Sequence, residues 1–557
     1  MNRLTNGDWI VFAIYFVVVA SYGLWVYWRK RSAEAGSKDY FLAEGSLTWW
    51  AIGASLIASN ISAEQFIGMS GSGFKMGLAI ATYEWMAAAT LIIVAIFFIP
   101  VYLKNKIFTM PQFLNQRYNG TVAMIMAIFW LLLYVVVNLT SILYLGALAV
   151  SAISDVSLTA CIWGMAVFAV IITLGGMKVI GYTDVIQVFF LILGGLVTTY
   201  IAVNLVAEHY GQTGVLNGLN IMKDQAGDHF HMIFKKDNAN YLDLPGLSVL
   251  IGGMWIVNLN YWGCNQYITQ RALGADLKTA RGGILFAAFL KLLMPVIVVL
   301  PGIAAFILYK QDVFSFHDKM MVAGEVNPDR SYPILLNLLP SGLKGLSFAA
   351  LTAAVVASLA GKANSIATIF TLDVYKKANP KMSDKKMVVV GKITVCVAML
   401  IAILICRHLG IDKKGGFQYI QEYTGFVSPG IFAMFILGFF WKKTTSTAAL
   451  FATIGGFILS VGFKVLPTYV NLAGLEPYGF AVRNAAGVYE MPFIDRMGFV
   501  FLICVIGMYI ISMIENADGK KVNGLEVDPS MFKTSKGFAI GTLLISGILV
   551  ALYSMFW

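Results

Sequence analysis

The chain has 557 residues, 59% of them hydrophobic and only 12% charged, and its mean hydropathy of +0.76 excludes a water-soluble globular protein. A net charge of +11 would suit a nucleic-acid binder. The basic residues instead concentrate in alternate connections between apolar runs, so nucleic acid is excluded as a partner and a lipid bilayer is required.

Hydrocarbon cannot satisfy a bare peptide group, and the runs lack the alternation of a barrel strand, so the spans are read as helices. The first, 8–28, is followed by Arg29, Lys30 and Arg31, the reverse of a signal peptide's order, and is expected to stay attached. Runs at 48–73, 77–103, 121–152, 157–176 and 182–205 form a first block of five. After an outer loop, 206–245, a second block follows at 246–270, 282–310, 342–372, 387–409 and 416–440. Three peripheral runs, 445–467, 493–516 and 536–557, close a total of fourteen. The expected division is thus 1–47, 48–205, 206–245, 246–440 and 441–557.

The basic clusters are Arg29, Lys30, Arg31 and Lys38; Lys104, Lys106 and Arg117; Arg271, Lys278 and Arg281; Lys376, Lys377, Lys381, Lys385 and Lys386; Lys442 and Lys443; Lys520 and Lys521. All lie in odd-numbered connections, which places both termini outside a plasma (inner) membrane. Lys223, Lys235 and Lys236 lie in the long outer loop, where translocated loops tolerate charge.

Two spans carry a dense polar cluster near their middle: Ser59-Asn60-Ile61-Ser62-Ala63-Glu64-Gln65, and Asn258-Leu259-Asn260-Tyr261-Trp262-Gly263-Cys264-Asn265-Gln266. A single Asn in a span is adequately explained as a tie between helices. Two clusters that open two five-span blocks mark interrupted helices, and because five is odd the second block enters inverted. Transporters of this build hold solute near the midplane.

Glu64, Glu84, Lys291 and Lys362 lie well inside spans, where an uncompensated charge costs at least about 2.5–3.5 kcal/mol. Glu84 and Lys291 are expected to pair, leaving a cavity of little net charge, which suits a neutral polyol. Asn60, Gln65 and Asn258 offer amides, Tyr83 a hydroxyl, and Tyr261 with Trp262 a flat wall for a sugar ring. Most of the twelve Trp belong to packing or the interface belt.

The stretches 58–68 (Ala58 to Gly68), Tyr83-Glu84-Trp85-Met86, 364–370 (Asn364 to Phe370) and 417–425 (Phe417 to Gly425) resemble the sodium/glucose cotransporter branch of the solute:sodium symporters. The likeness covers nearly the whole chain. It implies an all-α membrane protein with the LeuT-like inverted five-helix repeat and a secondary transporter importing a glucose- or galactose-like hexose with Na+ as coupling ion. Sugar would lie among Asn60, Gln65, Glu84, Asn258, Lys291 and Gln421. Tyr261 would be an inner gate stacked on the ring with Trp262 beside it, and Met69, Tyr83 and Phe417 an outer lid. Where some members have a sugar-contacting Ser, this chain has Ala87, which touches the choice of epimer.

The resemblance further implies sodium held by the carbonyls of Ala58, Ile61 and Ala354 and by two adjacent Ser hydroxyls. Here only Ser358 is present, since its neighbour is Ala357. Lys362 lies one turn further on the same face, with its stem leaning toward Ser358. Two outcomes are open. Lys362 acts as a tethered cation that weakens or replaces sodium, giving a sodium-independent or proton-linked carrier, or it snorkels toward water or pairs with Asp184 and sodium is kept. Other polyols such as inositol remain alternatives to hexose.

The five cysteines fall in spans without paired spacing, and Asp228, His229 and His231 lack a further ligand, so no other metal is assigned. No nucleophile–base set suggests an enzyme, and midplane breaks favour alternating access over a channel. Oligomeric state is not encoded in any motif found.

Overall fold

The computed structural model describes residues 4–29, 47–154, 156–174, 177–322, 324–408, 416–484, 486–519 and 522–557, so Lys30, Arg31, Lys38, Lys520 and Lys521 lie outside the described residues. Among the described residues, two short antiparallel pairs, Met321–Val322 with Glu325–Val326 and Val482–Arg483 with Tyr489–Glu490, interrupt an otherwise helical chain. Among the described residues, nine helices are long and apolar enough to cross a bilayer, or ten when the bent pair Gly416–Gly425 and Ser428–Phe440 counts as one. The expected fourteen are not reached by length alone. Leu158–Thr173 is a shorter apolar helix, and the runs beginning at 48 and 246 are broken into pieces.

Contacts divide the chain into two compact units. The first comprises Met1–Ala81, Leu132–His231 and Phe289–Ile420, the second Thr82–Leu131, Met232–Ala288 and Gln421–Trp557. Each therefore draws on both expected blocks.

The first unit is organised around helix Leu343–Thr368, which is buried along nearly its whole length. Its small residues, among them Ala349, Ala353, Ala357, Ala360 and Gly361, let Met177–His209, Asn6–Arg29, Leu158–Thr173 and Trp49–Asn60 approach closely. Asp8 of the first helix caps this central one, accepting the amides of Gly342 at 2.8 Å and Gly345 at 3.1 Å.

In the second unit, Gly253–Gly263 packs on Thr82–Ile93, Ser428–Phe440 and Phe493–Ala517. Stacked and edge-on rings of Phe98, Tyr102, Phe113, Phe435 and Phe439 fill its interior. Three basic residues expected as connection charges, Arg117, Arg271 and Arg281, are buried. Their planar forks serve main-chain carbonyls: Arg281 donates to Ala95 at 3.0 Å, Met531 at 2.9 Å and Lys533 at 2.8 Å.

Candidate functional site: a broken helix and its freed carbonyls

The first predicted break is present. Helix Trp49–Asn60 stops where Ile61 turns extended (φ −76°, ψ 101°), and a π-helical turn, Glu64–Met69, leads into Ser70–Met76. What stops it is local chemistry. In an unbroken helix the amide of Ser62 would bond to Ala58 and that of Gln65 to Ile61. Instead the Ser62 amide donates to the Gln65 side-chain oxygen at 3.1 Å, Gln65 N–H donates to the Ser62 carbonyl at 3.2 Å, and Glu64 N–H donates to the Ser62 hydroxyl at 3.1 Å. Ser62-Ala63-Glu64-Gln65 is a capping box placed inside a span, a signal legible in the sequence but read only as polarity.

Two carbonyls are thereby released from helical pairing, those of Ala58 and Ile61. The Ser358 hydroxyl, wholly buried on Leu343–Thr368, lies 3.3 Å from the first and 3.5 Å from the second. Ala354 is buried one helical turn before Ser358 and Ala357 brings no hydroxyl, so the donor set is made of neutral oxygens, the ligand type that hard cations take.

Asn60, the last residue before the break, accepts a hydrogen bond from the Lys291 ammonium, which is almost fully buried. Gln65 is partly committed to the cap. Met69 and Phe417 are buried in the same unit, and Gly68 approaches Phe417 so closely that a Cβ there would sit 2.8 Å from the Phe417 nitrogen. Lys362 places its ammonium 3.5 Å from the Asn138 side-chain oxygen and 4.7 Å from the centre of the Tyr134 ring. Asp184 accepts the Ser55 hydroxyl at 2.7 Å.

The remaining residues belong to the second unit. Glu84 and Tyr83 are buried at the start of Thr82–Ile93. The second break falls within the predicted cluster, toward its end at Cys264 and Asn265, where Asn265 is extended (φ −105°, ψ 118°) and its side chain accepts the Tyr267 amide at 3.1 Å. Asn258 and Asn260 stay helical because their amides are used internally, Asn258 on the Met254 carbonyl at 3.2 Å and Asn260 on the Ser428 hydroxyl at 3.1 Å. Tyr261 and Trp262 meet edge to face at 5.1 Å, and Gln421 is half-buried. A third break, between Gly416–Gly425 and Ser428–Phe440 with a 51° bend, was not anticipated, although Ser428-Pro429 after Gly425 is its sequence signature.

Sequence reasoning also missed Asp329. It is buried in the connection before helix Ser331–Asn337, takes the Gly416 amide at 2.8 Å, and presses its other oxygen against Gly71. Burial pushes its carboxyl from 3.8 up to about 7, the Gly416 hydrogen bond opposing. Between those values the folded protein holds a proton that the unfolded chain has lost, so this group's contribution to stability falls as pH rises from about 4 to about 7. The thermal midpoint of Asp329→Asn should lack that part of the decline; an unchanged slope would refute the assignment. His229 of the outer loop stacks on Phe306 at 4.0 Å and reaches the Phe74 carbonyl at 3.1 Å, a packing role.

Residues 40–456 match the sodium:solute symporter family. The chain is similar to a sodium/glucose cotransporter of Vibrio parahaemolyticus, 46% identical over 100% of both chains. It is also similar to the human sodium/myo-inositol cotransporter 2, 32% identical over 83% of this chain and 70% of that one. Among solved structures, a Na+-coupled sialic acid symporter in a substrate-bound outward-open state superposes with a TM-score of 0.75 at 22% identity, covering 92% of this chain and 98% of that one.

Proposed function

The chain belongs to the sodium:solute symporter family, and on that premise we propose that it imports a neutral hexose, with Na+ as the coupling ion, by alternating access. It is a multi-pass membrane transporter with the LeuT-like inverted-repeat fold, not an enzyme. The observation that carries the ion reading is the Ser358 hydroxyl set against the freed carbonyls of Ala58 and Ile61. The hexose reading draws on the Vibrio relative named for sodium and glucose.

Bound sodium supplies a positive centre for these oxygens to share. Ala58, Ile61 and Ser358 then hold the break in one shape, and with it Asn60, whose oxygen is already fixed by Lys291. Ion and solute thus act on one short segment, and each must raise the other's affinity by the same factor. Asn60, Gln65, Glu84, Asn258, Lys291 and Gln421 are the proposed sugar contacts. Tyr261 with Trp262 is the proposed inner gate, and Met69, Tyr83 and Phe417 the outer lid. The basic connections support both termini outside a plasma (inner) membrane.

Uptake of radiolabelled glucose, galactose and myo-inositol into proteoliposomes, at fixed voltage and with sodium and pH gradients imposed separately, tests this. A hexose should accumulate only under the inward sodium gradient. Equal uptake with and without sodium would overturn the coupling, and preference for myo-inositol would overturn the substrate.

A further inference from the structure

Three segments far apart in the chain meet at one side chain of the first unit. The turn Pro328–Arg330 is held from its own side: Asn327 N–H donates to the Met320 carbonyl at 2.9 Å, the Asn327 side chain accepts the Asp329 amide at 3.0 Å, and the Arg330 guanidinium donates to the Met321 carbonyl at 3.1 Å. Asp329, 3% exposed, is thereby presented to two other segments. Its main chain lies so near Gly71, on Ser70–Met76, that a Cβ there would sit 2.9 Å from the Asp329 nitrogen, and its carboxyl accepts the Gly416 amide at 2.8 Å. Gly68, three residues before Gly71, meets the Phe417 main chain in the same close manner.

The first amides of a helix lack helical acceptors, and the usual cap is the residue just before the helix. Here an acceptor for Gly416–Gly425 comes from a residue 87 positions away. A local cap steadies its own helix, whereas a distant one also fixes where that helix lies. We infer that Asp329 is a positioning residue of the outer lid, pinning the first turn of Gly416–Gly425, with Phe417, to the outer half-helix, with Met69, and so favouring the closed form in which both lid residues are buried. The inference rests on the proposed transport reading, in which a solute entering from outside requires the two segments to part. One such hydrogen bond is worth about a threefold to tenfold change in an equilibrium. Losing it raises the open fraction, which improves apparent affinity from outside by the same factor, and it slows the step that needs the lid shut.

The test is the rate at which a membrane-impermeant maleimide, added outside right-side-out vesicles, labels Phe417→Cys. Asp329→Leu, which keeps the volume and removes the acceptor, should speed labelling about threefold to tenfold. The buried native cysteines Cys161, Cys264, Cys406 and Cys504 should stay unlabelled in that background, which separates lid opening from general loosening. In proteoliposomes Asp329→Leu should tighten the external KM for hexose by a similar factor and lower the maximal rate; a merely damaged protein loses rate at unchanged KM. Asp329→Asn, which keeps an oxygen for the Gly416 amide, should match wild type in both measurements. Labelling of Asp329→Leu at or below the wild-type rate, or an Asn variant that behaves like the Leu variant, overturns the pin. Should Asp329→Leu fail to fold, Gly416→Pro removes the donor instead, in a helix first turn where proline is tolerated, and should label faster than Gly416→Ala; equal rates overturn the pin. Labelling needs no solute, so a wild type that accumulates no hexose refutes the transport reading while the labelling rates still decide the pin.

Discussion

Arg117→Met is expected to destabilise the protein by on the order of 3–5 kcal/mol without touching a solute or ion contact. The guanidinium is 1% exposed and donates to four carbonyls at the end of helix Ser428–Phe440 and just beyond: Gly438 at 2.8 Å, Trp441 at 2.9 Å, Thr444 at 3.0 Å and Lys442 at 3.3 Å. Carbonyls in a helix's last turn lack helical partners, and the helix dipole favours a cation at that end; the Trp441 oxygen is shared with the Thr444 amide at 3.2 Å and hydroxyl at 2.9 Å. Tyr118 continues the clasp, donating to the Met434 carbonyl at 2.6 Å. Methionine fills similar volume and satisfies none of the oxygens. Arg117→Lys should recover only part of the loss, since an ammonium cannot present a planar fork to carbonyls on several sides. Scanning fluorimetry in detergent measures it, and a midpoint within a degree of wild type would refute the clasp.

Gly68→Ala is expected to lower sodium-driven uptake at least about tenfold while leaving a folded protein. The Cβ it adds would lie 2.8 Å from the Phe417 nitrogen and 3.0 Å from its Cβ, and main chain cannot swing aside as a side-chain tip can. The outer half-helix must therefore move away from the segment carrying the proposed lid residue Phe417, and Met69 moves with it. Gly71→Ala should add to the effect, its Cβ falling 2.4 Å from an Asp329 oxygen. Gly164→Ala is the control, because nothing lies within 4 Å of a Cβ there. Uptake by Gly68→Ala at the wild-type rate would show that this backbone contact is not required in the transport cycle.

The membrane character and the helical class follow from composition alone, because the bilayer admits so few solutions for an apolar chain. The first break was equally legible, since Ser62 and Gln65 carry its cap within four residues and need no distant partner. The family resemblance named Ala58, Ile61 and Ser358 together, and the structure sets the Ser358 hydroxyl 3.3 Å from the Ala58 carbonyl and 3.5 Å from that of Ile61. Other features depend on contacts between residues far apart in the chain. Connection charges and buried clamps are both written as Arg, and only the neighbourhood of Gly438 to Thr444 makes Arg117 the latter. Which part of the cluster Asn258 to Gln266 breaks depended on packing: Asn258 and Asn260 found carbonyl and hydroxyl partners within their own unit and stayed helical, and the break fell at Asn265. Asp329 gave no signal in a connecting loop, where an aspartate is ordinarily solvated; burial against Gly71 and Gly416 distinguishes it. Residue type fixed which charges and amides the chain owns, while tertiary packing decided which partners they meet, as the Ser358 hydroxyl meets the carbonyls of Ala58 and Ile61 that the break releases.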